Sequence, residues 1–558
     1  MIIARPRVPI PIRSLLLALS SAALLIFSFP GFNQPWCAWI GLVPWLILLR
    51  AVSVRGACLW SWLIGFLFFL GSLWWLVYVT TIGWIVLCAY LALYFAAFGC
   101  IVHQWEAWRE ATNHKRHVTR KSGCVVADGL SLVAIPSAWV ALEYARSHAL
   151  SGFGWNLLAY SQTSWLPVIQ LADVTGVWGV SFLIVFVNAA IAKLVRGNGR
   201  RQQATKKSKL LTAYCLLLIV IVLGYGTWRL QHLPLSSSVK IAVVQGNIPQ
   251  EEKWETEFAE KILQRYEWLT NTAAKTQPDL IVWPETSVPS YVPVDAEVTR
   301  RVTALAKAVK RPLLVGAPVV QLEEGGPTFS LFNSALLIDA AGQLRAQYAK
   351  LHLVPFGEFI PGERWLPWLR AILPPIGDFV PGRAWTVFQT TISNFDFRVT
   401  NVNSQFAIRN SKLPFSVLVC FEDVFPELAR RFVREGARLL LVITNDAWFG
   451  PTAAAYQHTQ ASTFRAVELR VPVVRAANTG WSGCIDPTGR WIANVRDAQG
   501  AELFVPGTVT CALPITEEHT LYEHWGDWFA ILCVIITVVG LSDVVLRTRR
   551  STRTRPPL

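Results

Sequence analysis

Apolar runs of about twenty residues, enough to cross ~30 Å of hydrocarbon, recur eight times along this chain. They lie at roughly 14–31, 36–52, 57–79, 82–104, 129–147, 176–195, 210–228 and 526–546. Backbone crossing lipid has no water to bond, so spans of this length and composition are helical. The chain therefore reads as a multi-pass helical membrane protein. Composition agrees: 53% of residues are hydrophobic, only 16% are charged, and the 26 Trp are a residue type that gathers at membrane interfaces. Disorder, a coiled coil and a small disulfide scaffold are excluded. The first run follows a basic start, as a signal peptide would. It continues into SFPGFNQPW with no small-residue cleavage pattern, so it is expected to remain as a helix.

Basic residues orient the spans. Arg5, Arg7 and Arg13 precede the first, and Arg50 and Arg55 separate the second from the third. Further clusters fall at 109–121, 193–209 and 547–555, whereas the alternate loops carry no Lys or Arg beyond Arg146. The positive-inside rule then puts both termini in the cytoplasm. The block between the last two spans is expected outside, tethered at both ends. Three segments follow: a membrane domain of seven spans at 1–229, a polar domain at 230–524, and an eighth span with a basic tail at 525–558.

The net charge of +15 is not a nucleic-acid signature. From Arg229 to His524, 28 Lys and Arg face 29 Asp and Glu, so the polar block has no basic face to offer a phosphate backbone. Within the spans, Glu143, Arg146 and Asp173 lie near the outer ends and are either functional or interfacial.

The block alternates strands and helices. VKIAVVQGNI, DLIVWPE, PLLVGAP, FSVLVCFED, LLLVITND and VPVVRAAN read as strands, with hairpins at 333–350 and 481–495 and helices near 252–277, 295–310, 425–436 and 453–470. That is a mixed α/β domain large enough for one buried core. Three polar residues stand where apolar strands end: Glu285 in VWPE, Lys350 in AQYAK and Cys420 in SVLVC. Strand ends are where α/β sheets assemble sites. Singly, the Cys reads as core packing and the other two as solvated ends; together they form a candidate catalytic triad. His352, His458, His519 and His524 leave a Cys–His hydrolase open, although none sits in a pairing motif. CxxC and HExxH spacings and a glycine-rich phosphate loop are missing from the sequence, so no metal or cofactor is expected.

With their flanks, WPET, YAKLHLVPFGEFIP and VCFEDVFPE resemble the three motifs of the nitrilase superfamily. VQGNIPQEEKW, the LVPFGE string and the eight flanking spans make the whole chain similar to that superfamily's membrane-embedded branch, the apolipoprotein N-acyltransferases. The resemblance implies an α-β-β-α sandwich beside an eight-helix membrane bundle. It also implies a ping-pong transfer. A phospholipid would give an acyl chain to Cys420, and the thioester would acylate the α-amino group of the diacylglyceryl-cysteine that begins an apolipoprotein.

In that scheme Glu285 accepts the thiol proton, Lys350 stabilises thiolate and oxyanion, and Cys420 is the nucleophile. Glu358, Phe421 and Glu422 support them: Glu358 by orienting Lys350, unless it only makes a structural ion pair, and Phe421 through its backbone N–H. The family often has Tyr at the position of Phe421, so the hydroxyl contact is lost here. Trp254, Asn445 and Trp448 are expected near the substrate; Trp254 reads equally as a packing Trp, and Asn445 with Asp446 as caps of the helix near 453. Segment 353–385, with Trp365, Trp368, Leu369, Ile372 and Leu373, is expected either to lie in the lipid interface or to pack on the domain's own core. The alternatives for the whole chain are a membrane-tethered amidase acting on a small amide and a transporter with an inactive accessory domain. Cys420, Cys484 and Cys511 are the block's three cysteines, so at least one thiol stays free; whether Cys484 and Cys511 pair is left open.

Overall fold

A computed structural model describes residues 12–116, 124–197, 204–234, 237–322, 329–363, 368, 370, 378–391 and 412–553. The chain divides into two compact units: Met1–Thr227 with Asp527–Leu558, and Trp228–Gly526.

The first unit is helical. Among the described residues, Val54–Ser72, Thr81–Ala107, Val177–Val195 and Thr212–Gln231 are long and apolar enough to cross a membrane. Ile12–Phe27, Pro35–Leu48, Leu166–Thr175 and Trp528–Val544 are apolar but shorter. The expected span at 36–52 is broken into three pieces, Pro35–Cys37, Ala38–Gly41 and Val43–Leu48. Pro35 and Pro44 lack the N–H a continuous helix would use. Asn188 serves the break: its Oδ1 accepts from Leu42 N at 2.8 Å and its Nδ2 donates to Ala38 O at 2.9 Å. Backbone freed inside an apolar bundle needs such a partner. Glu143 and Arg146 are buried and bonded to the backbone that follows their helix. Glu143 Oε1 accepts from Leu158 N at 2.7 Å, and Arg146 Nη1 donates to Trp155 O at 2.9 Å.

Among the described residues, the second unit contains two six-stranded sheets. The strands are β1 (Ser237–Gln245), β2 (Leu280–Val282), β3 (Leu313–Leu322), β4 (Phe329–Ile338), β5 (Leu344–Ala349), β6 (Phe388–Thr391), β7 (Lys412–Val419), β8 (Leu440–Thr444), β9 (Val473–Ala477), β10 (Gly483–Ile485), β11 (Trp491–Asn494) and β12 (Gly507–Ile515). One sheet runs β12-β1-β2-β3-β4-β5, the other β11-β10-β9-β8-β7-β6. Strand alternation divides the core. Ile241 and Val243 of β1 face the space between the sheets with Val417, Leu441 and Val474. Ala242 and Val244 face the opposite way, onto α1 (Ala259–Ala274) and α2 (Ala296–Val309), through Leu263, Tyr266, Val302 and Leu305. Phe432 of α3 (Pro426–Arg434) and Leu469 of α4 (Ala454–Leu469) join the second sheet's core. The layers are thus helix, sheet, sheet, helix.

Two differences from the sequence reading matter for the site. The helix expected from residue 252 begins only at a 3₁₀ turn, Thr256–Phe258, so Lys253 and Trp254 lie in irregular backbone. Strand β12, not anticipated, pairs antiparallel with β1 across more than 260 residues of sequence. Through it Cys511 meets Cys484 of β10 in a disulfide that staples one sheet to the other. Of the unit's three cysteines, only Cys420 keeps a free thiol.

Candidate active site

Each of the three strand-end residues is held by a local device that lifts its side chain out of a regular strand. Glu285 follows β2, and the next residue, Thr286, has φ +46. This turn presses against β3. Gly316 O accepts from Ser287 N at 2.8 Å, and a Cβ on Gly316 would lie only 2.2 Å from Pro284 O. Lys350 closes β5, its N–H donating to Asn333 O on β4 at 2.8 Å. Cys420 ends β7 with φ +54, a left-handed conformation that costs a non-glycine residue energy and so marks a constrained position.

The structure brings these residues together. Lys350 Nζ is 2.8 Å from Glu358 Oε2 and 3.6 Å from Glu285 Oε1. Asn333 bridges the two acids, its Nδ2 donating to Glu285 Oε1 at 2.6 Å and to Glu358 Oε1 at 2.8 Å. Glu358 also accepts from Val354 N at 2.8 Å. Burial works against the Lys350 charge, but Glu358 and Glu285 outweigh it and hold the pKa above the usual lysine value. The Cys420 thiol is pushed well up, first by burial and next by the Glu285 carboxylate; Lys350 and a hydrogen bond with Thr444 pull the other way. The resting sulfur is therefore a neutral thiol that feels the Glu285 carboxylate and the Lys350 ammonium.

Glu422 is fully buried. Its carboxylate accepts from Val419 N at 2.7 Å, Leu351 N at 2.7 Å, His352 N at 3.0 Å and the Tyr348 hydroxyl at 2.9 Å. It thus ties the strand that delivers Cys420 to the backbone that delivers Lys350. Burial pushes its pKa up to about 7 against those bonds. Phe421 is half-buried and packs edge-on against Phe425, ring centroids 5.1 Å apart.

Trp254 and Trp448 are exposed, at 47% and 52%, and the Lys253 ammonium lies 6.0 Å from the Trp254 ring. Asn445 is buried but does not cap the following helix; it donates to Gln250 Oε1 at 2.7 Å and accepts from Asn478 Nδ2 at 3.0 Å. Asp446 is no cap either. It bonds His458 Nδ1 at 3.1 Å, while Thr452 Oγ1 accepts from Ala454 N at that helix start. Trp365, Leu369, Ile372 and Leu373 lie outside the described residues; Trp368 is exposed.

Several residues were missed from the sequence. Asn333 looked like an ordinary strand residue, and Lys253, in the quoted VQGNIPQEEKW string, passed without comment; its Nζ donates to Glu285 O at 3.1 Å. A second ionic cluster lies on the backbone side of Cys420. His458 Nε2 is 3.2 Å from Cys420 O and 2.9 Å from Asp423 Oδ1. Arg475 Nη1 is 2.6 Å from Asp423 Oδ2, and Ser462 Oγ bonds the same oxygen. Despite burial, the two carboxylates, chiefly Asp423, raise the His458 pKa to about 9, so the imidazole is charged. The imidazole meets the cysteine's carbonyl, which departs from the Cys–His arrangement left open above.

Residues 240–506 match the carbon-nitrogen hydrolase family, and residues 21–190 match the apolipoprotein N-acyltransferase N-terminal domain. An apolipoprotein N-acyltransferase from Geobacter metallireducens is 36% identical over 94% of this chain and 94% of its own. The chain belongs to the apolipoprotein N-acyltransferase family. Proteins of that name from Rhodopseudomonas palustris and Methylococcus capsulatus are 29% and 30% identical over 96% and 95% of this chain, and over 95% of each of theirs. Among solved structures, an amidase from Nesterenkonia sp. is 20% identical, covers 50% of this chain and 92% of its own, and gives a TM-score of 0.33.

Proposed function

We propose that this enzyme moves an acyl chain from a phospholipid to the N-terminal α-amino group of an apolipoprotein's diacylglyceryl-cysteine, through a thioester on Cys420. The observation that carries the reading is a partly buried thiol, held neutral on a left-handed turn in the field of one carboxylate and one ammonium. In the first half-reaction the sulfur attacks the ester carbonyl while Glu285 takes its proton. Lys350 faces the oxyanion that develops, and the N–H of Phe421 is a further donor. The ester C–O bond then breaks, the proton passes from Glu285 to the departing lysophospholipid oxygen, and the thioester remains. In the second, the amine attacks the thioester and Glu285 receives the amine's proton. The C–S bond breaks, the amide forms, and the thiolate is reprotonated.

A thiol that ionises only as it reacts suits an oxidising compartment, because the thiolate is the species that oxidises. The Cys484–Cys511 disulfide supports the same compartment. With the alternating basic loops, it favours a periplasmic catalytic domain at 230–524. That domain would be tethered between a seven-span membrane domain at 1–229 and an eighth span with a cytoplasmic tail at 525–558 in the bacterial inner membrane.

The test is intact-mass measurement of the full chain in detergent micelles containing phospholipid. A gain of one acyl group, absent in Cys420→Ala and released by a diacylglyceryl-cysteine peptide, is the expected result. No gain in the wild-type enzyme, or release by water as fast as by the peptide, defeats the reading; the second outcome would point to an amidase-like hydrolase.

A further inference from the structure

We propose that Lys253 is a second cation of the reaction centre, a positioning residue that keeps the Glu285 carboxylate aligned with the Cys420 thiol. The inference rests on the reading of the triad given above.

Three observations carry it. First, the chain before α1 stays irregular through residue 255, and there neighbouring side chains part company: Trp254 is half-exposed while Lys253 is 4% exposed. A lysine is seldom buried so deeply without a charged partner. Second, its Nζ bonds the Glu285 backbone carbonyl at 3.1 Å, and the charges it feels are Glu285 and Cys420. The Glu285 turn is left-handed at Thr286 and rests on Gly316, and Lys253 adds a side-chain bond to it. Third, Lys253 adds a second positive side chain to a centre in which Glu285 and Glu358 both lean on Lys350. When Cys420 passes its proton to Glu285, one negative charge moves from carboxylate to sulfur. A cation that faces both groups keeps both forms affordable throughout the transfer.

Burial outweighs the pull of Glu285 and Cys420 and lowers the Lys253 pKa to about 8, whereas Lys350, paired with Glu358, stays charged. The second cation is therefore lost in mildly alkaline solution.

The experiment follows the rate of acyl-enzyme formation on the full chain in detergent with phosphatidylethanolamine as donor, from pH 6 to 9.5. The wild-type rate is expected to fall above about pH 8. Lys253→Met is expected to be slower by roughly 10–100-fold at pH 7, the scale of a displaced catalytic group, and to lack that fall. Lys253→Arg keeps the charge and is expected to recover at least half of the lost logarithm of rate, again without the fall. A Met variant within threefold of wild type, or one that retains the alkaline fall, overturns the proposal. So does an Arg variant as slow as Met at unchanged melting temperature, since the charge would then not matter. A wild-type enzyme that never gains an acyl group defeats the triad reading itself, and the role of Lys253 with it.

Discussion

Two buried charge clusters flank Cys420 and are built differently. On the thiol side, Glu285 and Glu358 oppose Lys350 and Lys253; on the carbonyl side, Asp423 and Asp446 oppose His458 and Arg475. The first cluster rests on two ammonium groups, compact point charges on long stems, and its residues sit at strand ends and in turns. The second uses an imidazole and a guanidinium, rigid planar groups, mounted on α4 and β9 within regular structure. A Cβ on Gly480 would lie 2.0 Å from Asp446 Oδ2, so even the backbone is fitted to the second cluster. The contrast suggests a division of labour. One-point ammonium contacts let charge move during reaction, while planar forks fix the turn that aims the sulfur.

The comparison breaks most visibly if the two clusters are cut one at a time. Lys350→Met should lower acyl-enzyme formation by about 10²–10³-fold, the cost of losing an oxyanion partner, and should lower the melting temperature as well, because Glu358 and Glu285 lose their buried cation. Asp423→Asn should act on stability first, since Asp423 pairs with His458 and Arg475 and not with the reacting groups. It leaves Arg475 and His458 buried against a neutral amide, at a cost of roughly 3–5 kcal/mol, so thermal unfolding followed by Trp fluorescence should shift strongly downward. If both variants lost activity alone, or both lost stability alone, the division of labour would be wrong.

The disulfide and Glu422 give intermediate effects. Removing the Cys484–Cys511 link, which closes a loop of 27 residues, should cost about 3–4 kcal/mol, read as a lower melting temperature in the double Ala variant. Glu422→Gln should cost about 1–3 kcal/mol, because one amide NH₂ must face a backbone N–H among Val419, Leu351 and His352. Acylation should slow as well, since Glu422 joins the segments carrying Cys420 and Lys350. A Gln variant as stable as wild type would mean that the carboxylate bonds are dispensable.

Much of the fold was legible because apolar strands and strong turn residues announce themselves locally: β1, β3, β7, β8 and β9 all lie where the apolar runs are. β12 was not, since GTVTCALPI mixes polar residues and a proline, and its partner β1 is distant in the chain. The membrane unit shows the same limit: hydropathy finds the run at 36–52 but not the break that Asn188 supports. At the site, the triad was readable from three motifs. Lys253, Asn333 and His458 were not, because each matters only through a neighbour brought in by the tertiary fold. α4 is a particular case: nearly every residue from Ala454 to Leu469 is buried, including Arg465 and Glu468, so no polar face singles out His458.

The smallest expected effect is also the most specific to the second cluster. His458 titrates near 6.5 when unfolded and at about 9 in the folded enzyme. For a base whose folded value is raised, the stabilisation is complete below the unfolded value and disappears as pH rises through the folded one. The melting temperature should therefore decline from about pH 6.5 to 9, by an amount equivalent to roughly 1–3 kcal/mol. His458→Gln should be less stable at pH 6 and should flatten that slope, whereas Lys350→Met should leave it intact. A slope that survived in the Gln variant would mean that another group, not the imidazolium beneath Cys420, holds the turn together.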